Sequence, residues 1–212
     1  MVSDPVFRRV KNASFVGIVA ALALVTSAAA VVASPNAVIE DSMAVLTEKL
    51  DGRKAELAAD RKSLYALIDE ILLPRFDRKF AAQLVLARHW RSASEAQRNR
   101  FIEAFYQALL RRYADGILEF DPNKIKILPF RGDLSKPRSK VRSTVALDDG
   151  SSVAVDYDLV KRESGWLVYN VVIEGVSYVT NFRAELDAEI RSTNLDAVIA
   201  RLEEEAGMSA DE

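Results

Sequence analysis

Apolar residues recur at helical spacing up to about Phe120, at strand spacing from Ile125 to Val179, and at helical spacing again towards the end of the chain. From Ala37 to Leu57, Val38, Met43, Leu46, Leu50 and Leu57 fall roughly on one side of a helix, with Gly52 placed to interrupt it. Leu64, Leu67, Ile68, Ile71 and Leu72 keep helical spacing in a second helix, which Pro74 ends. A third, from Arg75 to about Trp90, places Phe76, Phe80, Leu84 and His89 at spacings near four. Ser94, with Gln97 three residues on, is a capping box. It opens a fourth helix whose apolar stripe runs through Phe101, Phe105 and Leu109 beside Ile102, Tyr106, Leu110 and Tyr113.

The period then changes to two. Ile125 and Ile127 start a strand, and in the next Val141, Val145 and Leu147 alternate with Arg142 and Thr144. Asp148-Asp149-Gly150 is a hairpin turn signal. The returning strand points Val153, Val155, Tyr157 and Leu159 one way and Asp156 and Asp158 the other. After a turn at Ser164-Gly165, the run Trp166 to Ile173 is apolar on both faces and should be the most covered strand. Two short helices are expected after Arg183, with Thr193 and Asp196 capping the one that carries Leu195, Val198, Ile199 and Leu202. The pattern predicts an α+β fold: helices packed on the concave face of a curved antiparallel sheet of about four strands.

The first 33 residues lie outside that pattern. Arg8, Arg9 and Lys11 precede an apolar, uncharged stretch from Ala13 to Val25, and small residues follow at Ser27, Ala28, Ala29, Ala30 and Ala33. That order predicts a secretory signal peptide over 1–33, cleaved after Ala30 or Ala33, and a single domain over 34–212. Without Arg8, Arg9, Lys11 and Asp4 the balance is 26 basic to 30 acidic residues, a net charge of −4. A mildly acidic domain is a poor nucleic-acid binder. Zero cysteines and one histidine exclude disulfide frameworks, thiolate nucleophiles, Cys-zinc sites and His-rich metal centres. Export without cysteine fits a bacterial periplasm.

Catalytic chemistry is hard to assemble from what remains. His89 stands near a helix end with no nucleophile motif beside it, and reads as an exposed or capping residue. Asp156 and Asp158 share a strand face, as paired acids do in glycoside hydrolysis, but that face points to solvent. Lys136, Arg138, Lys140 and Arg142 suit either an anionic partner or a charged edge strand that resists aggregation. No phosphate-binding glycine loop and no metal-ligand spacing occurs. What is left is a surplus of large apolar side chains on helices and sheet, the raw material of a ligand cavity.

Two blocks then carry a resemblance. FDRKFAAQLVLARHWRSASEAQRNRFIEAFYQALLRRYADGIL (Phe76 to Leu118) and GWLVYNVVIEGVSYVTNFRAEL (Gly165 to Leu186) resemble the MlaC family of periplasmic phospholipid-binding proteins, and the likeness runs from about Asn36 to Leu202. Two positions depart from the family's habit: Ala87 where glycine is common, and Asn170 where aspartate is common. The resemblance implies an NTF2-like cone with an apolar cavity, phospholipid as cargo, and no enzyme activity or cofactor. It also implies a monomeric carrier that exchanges lipid between an outer-membrane lipoprotein–porin complex and an inner-membrane ABC transporter with an MCE-domain protein, maintaining outer-membrane lipid asymmetry. On that reading the acyl chains are expected between the helices and the inward sheet face. The expected lining is Leu67, Ile71, Phe101, Phe105, Leu109, Val145, Leu147, Val153, Val155, Trp166, Val168 and Val172. Tyr178 and Arg183 are expected at the cavity mouth or in structural roles, Arg183 with Glu174 as a candidate ion-pair partner. The alternatives are an NTF2-like periplasmic enzyme, which needs an acid within the lining, and a partner-binding adaptor whose apolar residues are all core.

Overall fold

Residues 34–208 are described by the computed structural model, so the expected signal peptide lies outside the described residues. Short-range chemistry sets most element boundaries. Ser34 accepts from the Ala37 amide and Pro35 occupies the first turn of α1 (Pro35–Leu50). Gly52, at φ +66°, separates α1 from α2 (Lys54–Ala59). Asp60 caps α3 (Arg61–Leu72), which tightens at Leu73–Arg75 into a 3₁₀ turn around Pro74.

The predicted third helix is two. Asp77 accepts from Phe80 N and starts α4 (Arg78–Leu86). The helix stops at Ala87, whose φ is +46°, before α5 (His89–Ser92). Phe76 is therefore not helical, and it bridges to Val168 instead. Ser94 and Gln97 form both halves of the capping box of α6 (Glu95–Leu118).

Five antiparallel strands follow in sequential order: β1 (Ile125–Ile127), β2 (Arg138–Ala146), β3 (Ser152–Arg162), β4 (Gly165–Ile173) and β5 (Val176–Ser177). The last hairpin closes on Glu174 and Gly175, both at positive φ, the geometry that two-residue hairpin loops require. Ser177 then caps α7 (Tyr178–Ser192), so this helix begins before Arg183 rather than after it. Asn194, not Thr193, accepts from the Ala197 amide at the start of α8 (Leu195–Glu205). Asn170 ties β4 to α7, since its Oδ1 accepts from Val179 N while its Nδ2 donates to Asp158.

Strand register explains the largest departure from simple alternation. Between Asp158 and Leu159 the β3–β4 pairing slips by one residue, because Asp158 faces Asn170 while Leu159 faces Val168. Tyr169 is the extra residue of this bulge. Trp166 and Val168 lie on the helix-covered face before it, with Leu159 and Val141. Beyond it Val171 and Ile173, opposite Tyr157 and Val155, take that face. Val172 falls instead in a row with Arg142, Asp156 and Ser177 on the other face.

Buried apolar side chains form three separate clusters. One joins α4, α6, α7 and α8 through Leu86, Phe101, Phe105, Phe182, Leu186 and Ile199. A second joins α1, α2, α3 and α6 through Leu50, Leu57, Leu64, Leu67 and Leu110. The third sets Val38 and Ile39 of α1 on the sheet at Val141, Leu159, Trp166 and Val168.

Candidate apolar binding site

Apolar chambers open along the seams between these clusters. The first, about 330 Å³, lies between α3, α6, α7 and β4, walled by Ile68, Phe105, Tyr106, Leu109, Val171 and Phe182 among others. The second, about 320 Å³, lies between α1, α3 and the sheet, walled by Ile39, Met43, Leu46, Ile71, Tyr157 and Val168 among others. Ile68, Leu72, Phe76, Ile117 and Val171 line both, so the chambers share a wall. Each volume falls in the range of small-molecule pockets, about 300–1,000 Å³.

The linings follow from sequence pattern and register together. On α3, Ile68, Ile71 and Leu72 line the chambers at spacings of three and four, while Leu67, buried in the second cluster with Leu57 and Leu64, lines neither. On α6, Phe105 and Leu109 reach the first chamber. Phe101, one turn earlier, is fully buried against Phe105, their rings stacked with centroids 5.4 Å apart. Of the twelve expected lining residues, Ile71, Phe105, Leu109 and Val168 line a chamber.

The other eight lie elsewhere. Leu67 and Phe101 are core behind the walls, and Trp166 is packed in the third cluster. Val145 and Val153 pair with each other in the row that Ile125 begins, and of that row only Ile125 lines a chamber. Val155 pairs with Ser143 and Ile173, and of that row only Ile173 lines a chamber. Leu147 has passed the end of β2 and is 43% exposed in the turn. Val172 is carried to the opposite face by the bulge. The same slip brings in Val171 and Ile173, and Tyr157 joins them by alternation along β3. Period-two alternation alone marks Tyr157; nothing local in the sequence marks the bulge.

Polar groups of the walls are few. Tyr106 donates to Asp69 at 2.7 Å, and burial, then this bond, push the phenol above its ordinary range. Burial raises the Tyr157 phenol likewise. Arg75 is the one charged side chain in either wall among the described residues. Tyr178 lines the first chamber, edge-on to the half-exposed ring of Tyr113 at 5.9 Å. Arg183 lies outside both walls. Its Nε donates to the Leu84 carbonyl at 2.7 Å and so satisfies the last turn of α4, while Glu174 accepts from Ala154 N.

His89, Asp156 and Asp158 are each held in local polar contacts. His89 Nε2 lies 2.8 Å from Asp187, which Arg88 and Arg191 also flank. These contacts, the His89 bond foremost and then Arg191, hold the Asp187 carboxyl well below the usual carboxylate range. Lys140 bridges Asp156 at 3.3 Å and Asp158 at 3.1 Å. Among the described residues no cluster of three or more His, Cys, Asp or Glu could hold a metal. No helix among them is long and apolar enough to cross a membrane.

The family profile described as MlaC protein matches residues 40–204. The toluene tolerance protein ttg2D of Pseudomonas putida is 28% identical over 153 residues, 71% of each chain. The intermembrane phospholipid transport system binding protein MlaC of Haemophilus influenzae is 22% identical over 164 residues, 76% of this chain and 77% of that one. A phospholipid-binding protein from Ralstonia solanacearum, solved in complex with a phospholipid, superposes with a TM-score of 0.74 at 24% identity, covering 83% of this chain and 98% of that one.

Proposed function

The chain belongs to the MlaC family, and on that premise we propose that it is a soluble, monomeric periplasmic phospholipid carrier. The observation that carries this reading is the pair of adjoining apolar chambers. Exposing hydrocarbon to water costs ~0.8 kcal/mol per methylene, so a two-chain lipid crossing an aqueous space unsheltered faces a barrier on the order of 20 kcal/mol. A carrier lowers that barrier by burial alone and needs no acid, base or cofactor. The acyl chains lie against Ile68, Ile71, Leu72, Phe105, Leu109, Val168 and Val171, one chain to a chamber, diverging at the shared wall.

Neighbouring proteins support the reading: the Haemophilus influenzae relative is named for intermembrane phospholipid transport, and the Ralstonia solanacearum structure holds a phospholipid. The chain is exported by its cleaved N-terminal segment. It takes lipid from one membrane complex and yields it to another, between an outer-membrane lipoprotein–porin assembly and an inner-membrane ABC transporter with an MCE-domain protein, and so maintains outer-membrane lipid asymmetry. The test is mass spectrometry of lipid extracted from natively purified protein, with diacyl phospholipid expected near one per chain. A lipid-free preparation that takes up nothing from phospholipid vesicles would refute the carrier.

A further inference from the structure

Arg75 sits at a particular place in the cavity. It ends the 3₁₀ turn Leu73–Arg75, between Leu72 and Phe76, and each of those two residues lines both chambers. Leu72 and Leu73 are 39% and 37% exposed, so the turn lies where the apolar interior meets water. The backbone is fixed there, since Asp77 N donates to Val168 O at 2.8 Å.

The Arg75 guanidinium donates once, from Nη1 to the Ile71 carbonyl at 2.9 Å, and has no carboxylate partner among the described residues. Nearby acids in the sequence are engaged elsewhere: Asp69 by Tyr106, Glu70 by Lys49 at 3.1 Å, and Asp77 by Arg162 at 2.7 Å. A guanidinium offers five N–H donors in a planar fork that matches two oxygens of a phosphate. The walls around it are otherwise uncharged, which strengthens any charge-assisted bond made at their edge.

We propose that Arg75 is the phosphate-recognition residue of the cavity: it binds the phosphodiester of the cargo lipid at the edge of the second chamber, beside the Leu72 and Phe76 wall that this chamber shares with the first. This rests on the carrier reading and adds to it a selection rule. The phosphate is read, the alcohol attached to it is not, and a lipid with the same chains but no phosphate is disfavoured.

The experiment offers delipidated wild type, Arg75→Gln and Arg75→Lys vesicles carrying phosphatidylglycerol, phosphatidylethanolamine or diacylglycerol of identical chains, and counts lipid per protein. Wild type should load both phospholipids alike and prefer them to diacylglycerol by about tenfold, the scale of one charge-assisted hydrogen bond. Arg75→Gln should lose the preference while still taking up chains, and Arg75→Lys, which keeps the charge but not the fork, should keep only part of it. Equal loading of all three lipids by wild type, or a preference retained in Arg75→Gln, overturns the proposal and leaves the carrier standing. Uptake of no lipid by wild type defeats both. Should Arg75→Gln fail to fold by circular dichroism, the wild-type comparison and Arg75→Lys decide. Inorganic phosphate controls for the source of the anion. If it raises the melting temperature of wild type alone, with no discrimination among lipids, the residue serves free phosphate and the proposal falls.

Discussion

At the scale of single residues, Ala87 shows how one backbone angle divides a helix. Its φ of +46° costs an L-residue with a Cβ about 1–2 kcal/mol, and glycine removes that cost while giving back part of it as unfolded-state entropy. Ala87→Gly should therefore stabilise by about 1 kcal/mol, read as a rise of about 2–4 °C in melting temperature. Asp187 carries a pH dependence of definite sign. Its carboxyl is held below the usual range by His89, Arg191 and Arg88, so the unfolded chain binds the proton more readily. Stability from this contact is present above the ordinary carboxylate pKa of about 4 and is lost as pH falls through the lower folded value. Asp187→Asn should lower the melting temperature at about pH 4 and above, with the gap to wild type closing in more acid solution.

At the scale of elements, what the sequence discloses depends on how far apart the deciding groups are. The capping box of Ser94 and Gln97, the break at Gly52 and the stop at Pro74 are read within a few residues, and the elements begin and end there. The early start of α7 needed Ser177 to be seen as its cap, a local signal masked by the apolar run before it. The β3–β4 slip at Tyr169 is different. It is decided by which residues of two strands face each other, and neither strand records that alone. Hence helix periodicity alone brings Ile71, Phe105 and Leu109 to the chamber walls, whereas period-two alternation along β4 would put Val172 on the face opposite to the one it takes. The bulge makes a paired prediction. Val171→Trp fills the shared wall and should cut bound phospholipid several-fold in the extracted-lipid assay, whereas Val172→Trp, on the opposite face, should leave it near the wild-type level with both variants folded by circular dichroism.

At the scale of the whole molecule, stability and cargo are linked, because the three apolar clusters leave seams rather than one continuous core. A ligand that fills those seams favours the folded state by mass action, about 2.7 kcal/mol at a hundredfold excess over its dissociation constant. Stripping the lipid should thus lower the melting temperature by about 5–10 °C, and adding phospholipid vesicles should restore it. The two ends of the sheet have a consequence for life in a crowded compartment. β1 and β5 run for only three and two residues, and the stretch of β2 that extends past β1 bears Arg138, Lys140 and Arg142. A neighbouring copy therefore finds little bare backbone to zip onto, and what it finds repels its own matching charges. Edge-to-edge growth of the sheet from one copy to the next is thus disfavoured.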